Sequence, residues 1–258
     1  MRARAAPLLL ALGFALSCAA QTYPSRAISI VVAFPAAFFV REPPRLDAGA
    51  RDAVRPARLA PVLRHPAFWL LTIGSLASIG AIGGTTQNLK LYLSLDRHLT
   101  QTQIAGVMSL VLVGSIVGRL TMGWLADRWQ KKRVMLVIYA IVAGTIPLLV
   151  FSPTIAMLRG FAFLFGIGLG GDYMIIPLVA AELFDLRVMG RLLGVILTTD
   201  SIAEAVVPLG VATLRDRTGS YTAGFLGLVA LAAVGALAVA LLPSGGSLAK
   251  DQPRSAAL

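Results

Sequence analysis

The chain alternates long apolar stretches with short polar ones. Uncharged runs cover residues 66–89, 99–118, 134–158 and 218–249. Each run is at least as long as the roughly 20 residues that cross the hydrocarbon core of a bilayer. Helices are expected because a lipid-exposed backbone must satisfy its own hydrogen bonds, and the alternation of a barrel strand is absent. The pattern predicts an all-α membrane protein, a bundle of six transmembrane helices at about 67–89, 102–126, 134–151, 155–181, 191–214 and 221–243.

Composition and charge agree with a membrane setting. Of the 258 residues, 57% are hydrophobic and 14% charged, which is too apolar for an ordinary soluble domain. The net charge of +11 does not predict nucleic-acid binding, because the basic residues cluster between the apolar runs. Fourteen Lys and Arg residues lie on the side of the 41–65 linker and the C-terminal tail, against four on the other side. The predicted location is a bacterial-type inner membrane, with the linker and the C-terminus cytoplasmic.

The N-terminus has the order of a secretory signal. Residues 1–20 run from basic through apolar to small side chains, which would place cleavage before Gln21. Acylation of Cys18 is the alternative, and retention of the segment without cleavage stays open. A single cysteine excludes an intramolecular disulfide and a cysteine metal cluster.

Residues 21–36 have a different character. The string from Gln21 to Ala36 resembles the mature start of periplasmic solute-binding proteins of the tripartite tricarboxylate type. This fragment is too short to hold a binding domain, so the resemblance implies a foreign fragment joined near residues 35–37. Residues 37–65 are predicted to form the end of a former helix and a cytoplasmic linker. The six-helix body follows at residues 66–243, and residues 244–258 are predicted to form a cytoplasmic tail.

The string between the second and third predicted spans is the most specific in the chain. Gly123-Trp-Leu-Ala-Asp127-Arg128-Trp-Gln-Lys131-Lys132-Arg resembles the loop motif of major facilitator transporters, although the family's second Gly is Gln130 here. The motif needs Gly123 for close helix approach, Asp127 to meet a helix N-terminus, and cations to hold the loop inside. Cations that act only as positive-inside anchors are the alternative. The resemblance covers about residues 37–243 and implies the C-terminal six-helix half of such a transporter.

That resemblance also implies a function. Major facilitator carriers move small solutes by alternating access between two halves, and residues 181–184 resemble monocarboxylate and oxalate/formate carriers. The expected activity is transport of a small organic anion, with or without coupling to protons. The expected environment is the lipid bilayer, and the expected partner is a second copy in a homodimer or a missing N-terminal half. A non-transporting membrane remnant of a gene fusion is the alternative.

Charged and polar residues inside the spans are the candidate path for solute or protons. Asp172, Asp200 and Glu204 fall within apolar runs, and intramembrane carboxylates mark a pathway or a pairing site. Asp172 and Asp200 are expected at a similar depth, roughly 13 Å from the cytoplasmic helix ends. Glu204 lies one turn from Asp200 on the same face. Two alternatives stay open for all three: helix capping at a Gly-rich break, and spans that are shorter than the predicted boundaries.

Three further polar residues are weaker candidates for the path. Arg159 would attract an anion or snorkel to the interface. Gln87 and Asn88 would line a path or form a solvated helix end.

Small residues suggest where helices pack closely. Gly114 with Gly118 and Gly166 with Gly170 have the four-residue spacing of tight transmembrane packing. The string 166–171 also matches a dinucleotide fingerprint, but it lacks the preceding strand and βαβ setting. No nucleophile with a base and no metal-ligand cluster is present in the sequence. The chain is therefore not expected to be an enzyme or to hold a cofactor or metal.

Overall fold

The computed structural model describes residues 60–152, 154–184 and 188–243. Six long helices follow a short helix, Ala60–Leu63, and each is long and apolar enough to cross a membrane. The predictions for residues 1–59 and for the tail 244–258 lie outside the described residues. The six helices are α1 Pro66–Leu95, α2 Gln101–Arg128, α3 Lys131–Phe151, α4 Ile155–Leu183, α5 Met189–Thr218 and α6 Thr222–Ala240.

The all-α fold class and the six membrane-length helices are confirmed. The shortest helix, α6, has 19 residues, which at about 1.5 Å per residue gives roughly 29 Å, the thickness of a bilayer core. α1 continues to Leu95, six residues beyond its predicted end. The polar residues of that last turn, among them the exposed Lys90, stay helical because they reach the interface, where charged side chains are tolerated.

Local sequence sets several helix ends. His65 caps α1, accepting a hydrogen bond at Nδ1 from the Ala67 N–H at 3.2 Å, and Pro66 occupies the first helical position. Thr100 and Gln103 form a reciprocal capping box at the start of α2. α5 ends at Gly219, whose φ of 76° favours glycine. Side-chain caps therefore mark the starts of α1 and α2, and a left-handed glycine marks the end of α5.

The helices pack as two neighbouring groups, α2–α3–α4 and α1–α5–α6, which are joined by the contact between α3 and α6. α4 packs against α2 and α3, α1 packs against α5 and α6, and α6 also packs against α3. The buried apolar side chains form two clusters stacked along the bundle, one around Met135 and Leu192 and one around Phe161 and Phe225. Ser75, Ser78, Asp172 and Asp200 are buried at the junction between them. We call these four residues the central polar layer.

The α2–α4 contact is close because glycines remove side chains from it. A Cβ added at Gly114, Gly118, Gly166 or Gly170 would overlap backbone atoms of the facing helix. Such contact allows van der Waals packing between backbones, which is a main source of helix association in lipid. All four glycines singled out by their spacing lie in this one interface. Within the described residues, the chain has no strand of the kind that precedes a dinucleotide loop.

Candidate functional site

The two buried carboxyl groups of the central polar layer come from α4 and α5. Asp172 is fully buried and Asp200 is 5% exposed. Ser75 on α1 donates a hydrogen bond from Oγ to Asp200 Oδ2 at 2.6 Å, while Asp200 Oδ1 has no partner among the described residues. The structure therefore brings both predicted residues into one buried layer.

The neighbours of Asp172 are hydroxyl groups. Ser78 on α1 and Tyr139 on α3 lie beside its carboxyl group. Yet both Asp172 oxygens, Ser78 Oγ and the Tyr139 hydroxyl are buried without a hydrogen-bond partner among the described residues. Buried polar groups are nearly always satisfied. The Ser78 and Tyr139 hydroxyl groups are therefore the neighbouring groups that can donate a hydrogen bond to the Asp172 carboxyl group.

Glu204 sits one turn from Asp200 but in a different environment. Its side chain is half-buried, and its Cγ lies 3.1 Å from the position of a Cβ added at Gly83. Tyr173 on α4, which is 45% exposed, donates a hydrogen bond from its hydroxyl to Glu204 Oε1 at 3.0 Å. Glu204 therefore reaches the surface of the bundle where α5 meets α4, one turn from the buried Asp200. We call this surface the open side of the bundle.

Gln87 and Asn88 contact the backbone of α5 at a proline. Pro208 has no N–H, so the Glu204 carbonyl four residues earlier loses its helical donor. The Gln87 side-chain amide donates to that carbonyl oxygen at 3.0 Å. Asn88 is buried and donates to the Pro208 carbonyl oxygen at 3.2 Å and to Gly84 at 3.0 Å. Both predicted residues thus hold α1 against the irregular turn that carries Glu204.

Arg119 is not among the residues predicted above, although a basic side chain inside an apolar span is as costly as an acidic one. It is exposed and lies nine residues before the end of α2. Its neighbours Gly118 and Gly123 face Ile167 and Met174 of α4, so Arg119 is level with the stretch of α4 that contains Asp172. Its position within the 102–126 span was the signal that could have identified it.

Arg159 has a different position. It is exposed and lies in the second turn of α4, four residues after the first helical residue. A long basic side chain at such a helix end reaches the interface readily. The structure does not bring Arg159 to the central polar layer.

The loop motif joins α2 to α3, as predicted. Gly123 faces Met174, whose Sδ lies 3.3 Å from the position of an added Cβ. Arg128 stacks on the Trp124 ring, with its guanidinium carbon 3.8 Å from the ring centroid. Asp127 is exposed and has no ion pair with a described residue.

The two lysines of the motif tie the loop to neighbouring helices. Lys131 forms an ion pair with Glu182 of α4 at 3.7 Å. Lys132 donates to the carbonyl oxygens of Ala240 and Leu242 at the end of α6. These contacts place a cation at a helix C-terminus, where it is favourable. No group of three or more metal-ligating side chains occurs among the described residues.

Comparison with known proteins gives a consistent family. A family model described as Major Facilitator Superfamily matches residues 25–208. Monocarboxylate transporter 12 of Homo sapiens is 33% identical over 140 residues, which cover 52% of this chain and 27% of that protein. The inner membrane metabolite transport protein YgcS of Escherichia coli (strain K12) is 28% identical over 130 residues, covering 50% of this chain and 29% of that protein.

The fold comparison points the same way. A crystal structure of the nucleoside transporter NupG matches with a TM-score of 0.60 at 18% identity, covering 74% of this chain and 47% of that one. The chain thus spans less than a third of the two curated relatives and about half of the solved transporter. The family match begins inside residues 21–36, and the solute-binding hypothesis for that segment stays a prediction.

Proposed function

Since the chain belongs to the major facilitator superfamily, we propose that it forms one side of the translocation path of a carrier for a small organic anion. It is a multi-pass membrane protein with six membrane-length helices. Its relatives are transporters rather than enzymes. The name of the first relative, a monocarboxylate transporter, supports an anionic solute.

The observation that carries the proposal is that polar side chains are exposed within the apolar spans of three helices, α2, α4 and α5. Tyr173 is exposed on α4, which contacts α2 on one flank and α5 on the other. Arg119 is exposed on α2 and Glu204 is half-exposed on α5. A cation and a carboxyl group at membrane depth are too costly for a lipid-facing surface. The open side of α4 therefore suits a polar solute path, in which Arg119 binds the anion.

Proton coupling is assigned to the two carboxyl groups of α5. Glu204 reaches the open side, while Asp200 lies one turn away in the buried layer. Interacting carboxyl groups titrate as a pair. A proton that moves between them would connect the path with the interior of the bundle.

The partner in this proposal is a second half, provided by a homodimer or by a separate six-helix segment. Alternating access requires two halves that rock around a central site. α2 and α5 leave large apolar side chains exposed, including Leu112, Leu120, Ile202 and Leu209. These surfaces can contact a second half on either side of the path. Asp127, exposed at the end of α2, is available to the same partner.

Uptake by the full chain in liposomes tests the proposal. Radiolabelled pyruvate and oxalate are offered with and without an inward proton gradient. Arg119→Gln is expected to lower uptake at least tenfold, because the anion loses its countercharge. Glu204→Gln is expected to abolish stimulation by the proton gradient. Arg217→Gln, at the exposed end of α5, is the matched control and should stay within twofold of the parent chain.

Two outcomes would contradict the proposal. Equal uptake by the Arg119→Gln and Arg217→Gln variants would remove Arg119 from the path. Absence of flux under every gradient, with the chain correctly folded, would support the alternative of a non-transporting membrane remnant.

A further inference from the structure

We propose that a surface cavity at the connection between α2 and α3 binds the phosphate group of an anionic phospholipid. The cavity has a volume of about 280 Å³ and is lined by Arg128, Trp129, Gln130 and Arg133. Arg128 ends α2, and only two residues separate it from the start of α3. We call this cavity the α2–α3 pocket. It shares no residue with the central polar layer, and lipid binding to it is measured without any transported solute.

The first argument is the charge of the lining. Two of the four lining residues are arginines and none is acidic. Neither Arg128 nor Arg133 forms an ion pair with a described residue. The two lysines between them are already engaged, since Lys131 pairs with Glu182 and Lys132 binds carbonyl oxygens at the end of α6. A guanidinium group binds phosphate through two parallel N–H bonds. Two such groups at one cavity fit a phosphate anion.

The second argument is that the lining is held in place. The Arg128 guanidinium carbon lies 3.8 Å from the centroid of the Trp124 ring, on which it stacks. The Trp129 N–H donates to the carbonyl oxygen four residues earlier at 2.8 Å. The Gln130 carbonyl oxygen accepts from the Arg133 N–H, also at 2.8 Å. The backbone is thus fixed on both sides of the connection, and a preformed site loses less conformational freedom on binding.

The start of α3 adds to the preference for an anion. Gln130 occupies the N-cap position, and its side chain makes no capping hydrogen bond. The first N–H groups of a helix have no acceptor within the helix, and this end carries partial positive charge. Because Gln130 and Arg133 both line the cavity, an anion bound there lies beside this helix end.

The position in the membrane favours a lipid as the source of the phosphate. Trp124 and Trp129 are 58% and 53% exposed, and both α2 and α3 are membrane-length helices. Tryptophan is enriched at the headgroup level of a bilayer, and basic pockets at that level bind anionic headgroups. The cavity of about 280 Å³ is smaller than the roughly 300–1,000 Å³ that encloses a drug-sized molecule. It therefore suits a headgroup whose acyl chains stay in the bilayer.

Lipid binding to the purified, delipidated full chain tests the site. The chain is titrated in detergent with phosphatidylglycerol, phosphatidylcholine or inorganic phosphate, and the bound species are counted by native mass spectrometry. We expect phosphatidylglycerol to bind at least tenfold more tightly than phosphatidylcholine, because the arginines repel the choline cation. Inorganic phosphate at equal concentration should not displace phosphatidylglycerol, since it lacks the acyl chains that pack against the helices.

Substitutions then locate the binding. The double variant Arg128→Gln/Arg133→Gln should bind phosphatidylglycerol no more tightly than phosphatidylcholine. Both side chains are exposed, so the fold should be retained, which thermal unfolding checks. Arg128→Lys/Arg133→Lys keeps the charge but not the paired N–H groups, and should weaken binding less than the glutamine pair. Arg191→Gln is the matched control, because Arg191 is exposed near the start of α5, on the side of the bundle where α3 also begins. It should stay within twofold of the parent chain.

Three results would overturn the proposal. The first is equal affinity for phosphatidylglycerol and phosphatidylcholine. The second is a double glutamine variant that binds phosphatidylglycerol no more weakly than Arg191→Gln does, which would show a response to overall charge rather than to the cavity. The third is displacement of phosphatidylglycerol by inorganic phosphate at equal concentration, which would identify a site for free phosphate. Failure of the uptake assay would leave all three measurements valid.

Discussion

At the scale of single residues, Pro208 explains why two neighbouring amides of α1 point at α5. The proline removes the donor that would bind the Glu204 carbonyl, and the Gln87 amide replaces it. Asn88 adds a bond to the Pro208 carbonyl itself. Gln87 and Asn88 were predicted as possible path residues because they are polar and lie near a helix end. Their contacts support a positioning role, which keeps Glu204 at the open side of the bundle.

A double-mutant cycle tests this role. Gln87→Leu leaves the Glu204 carbonyl unpaired and is expected to destabilise the chain by about 1 kcal/mol, measured by unfolding in detergent. Pro208→Ala restores a backbone N–H that can donate to the same carbonyl. Gln87→Leu should then cost much less in the Pro208→Ala background. Equal costs in the two backgrounds would show that Gln87 does not replace the missing donor.

At the scale of helices, the α2–α4 interface is the most specific packing feature. Four glycines let the two backbones touch, and an added Cβ at any of them would overlap the facing backbone. Gly106, one of the other glycines of α2, has open space around an added Cβ. The same substitution should therefore have opposite effects at two positions of one helix.

Gly118→Ala and Gly106→Ala make this comparison. Gly118→Ala forces the helices apart and is expected to destabilise the chain by about 1–3 kcal/mol. Gly106→Ala should be neutral or stabilise by up to about 1 kcal/mol, since alanine has the higher helix propensity. Unfolding of both variants in one detergent gives the two values. A loss of stability at Gly106 as large as that at Gly118 would contradict the packing described.

The sequence predicts where the helices begin and end better than it predicts which side of each helix faces the core. Apolar runs alone locate the six spans to within six residues of their observed ends. The rotation of each helix about its axis is harder to predict. Lipid-facing and core-facing side chains are both apolar, so the 3.6-residue hydrophobic period of these helices is weak. Leu120 is 71% exposed whereas Leu89 is 1% exposed, and nothing in their sequence distinguishes them. Among the features of the sequence, only the four-residue spacing of glycines identified a helix–helix interface, the one between α2 and α4.

The same limit applies to the candidate site. Asp172, Asp200 and Glu204 were recognisable because carboxylates interrupt apolar runs. That Asp200 is buried while Glu204 reaches the surface depends on how α5 is rotated against α1. Ser78 and Tyr139 gave no signal, since hydroxyl groups are ordinary in membrane helices. That both lie beside Asp172 follows only from how α1, α3 and α4 pack together.

At the scale of the whole molecule, orientation in the membrane decides which end of the path meets each compartment. Four basic residues, Arg128, Lys131, Lys132 and Arg133, flank the α2–α3 connection, whereas two, Lys90 and Arg97, lie at the α1–α2 connection. The excess of basic residues favours a cytoplasmic α2–α3 loop. The Ser78, Tyr139 and Asp172 side chains would then lie on the cytoplasmic side of the bundle centre.

Cysteine labelling tests this orientation in a Cys18→Ser background, where no other thiol is present. Gln130→Cys lies in the α2–α3 loop and His98→Cys in the α1–α2 loop, so the two variants report opposite faces. In intact cells an impermeant maleimide should label the His98→Cys variant and spare the Gln130→Cys variant until the membrane is opened. The reverse pattern would invert the topology, because loops at the two ends of α2 cannot exchange sides without the helix turning over. Labelling of both variants in intact cells would instead show a mixed population, and the charge difference between the two loops would then be too small to orient the bundle.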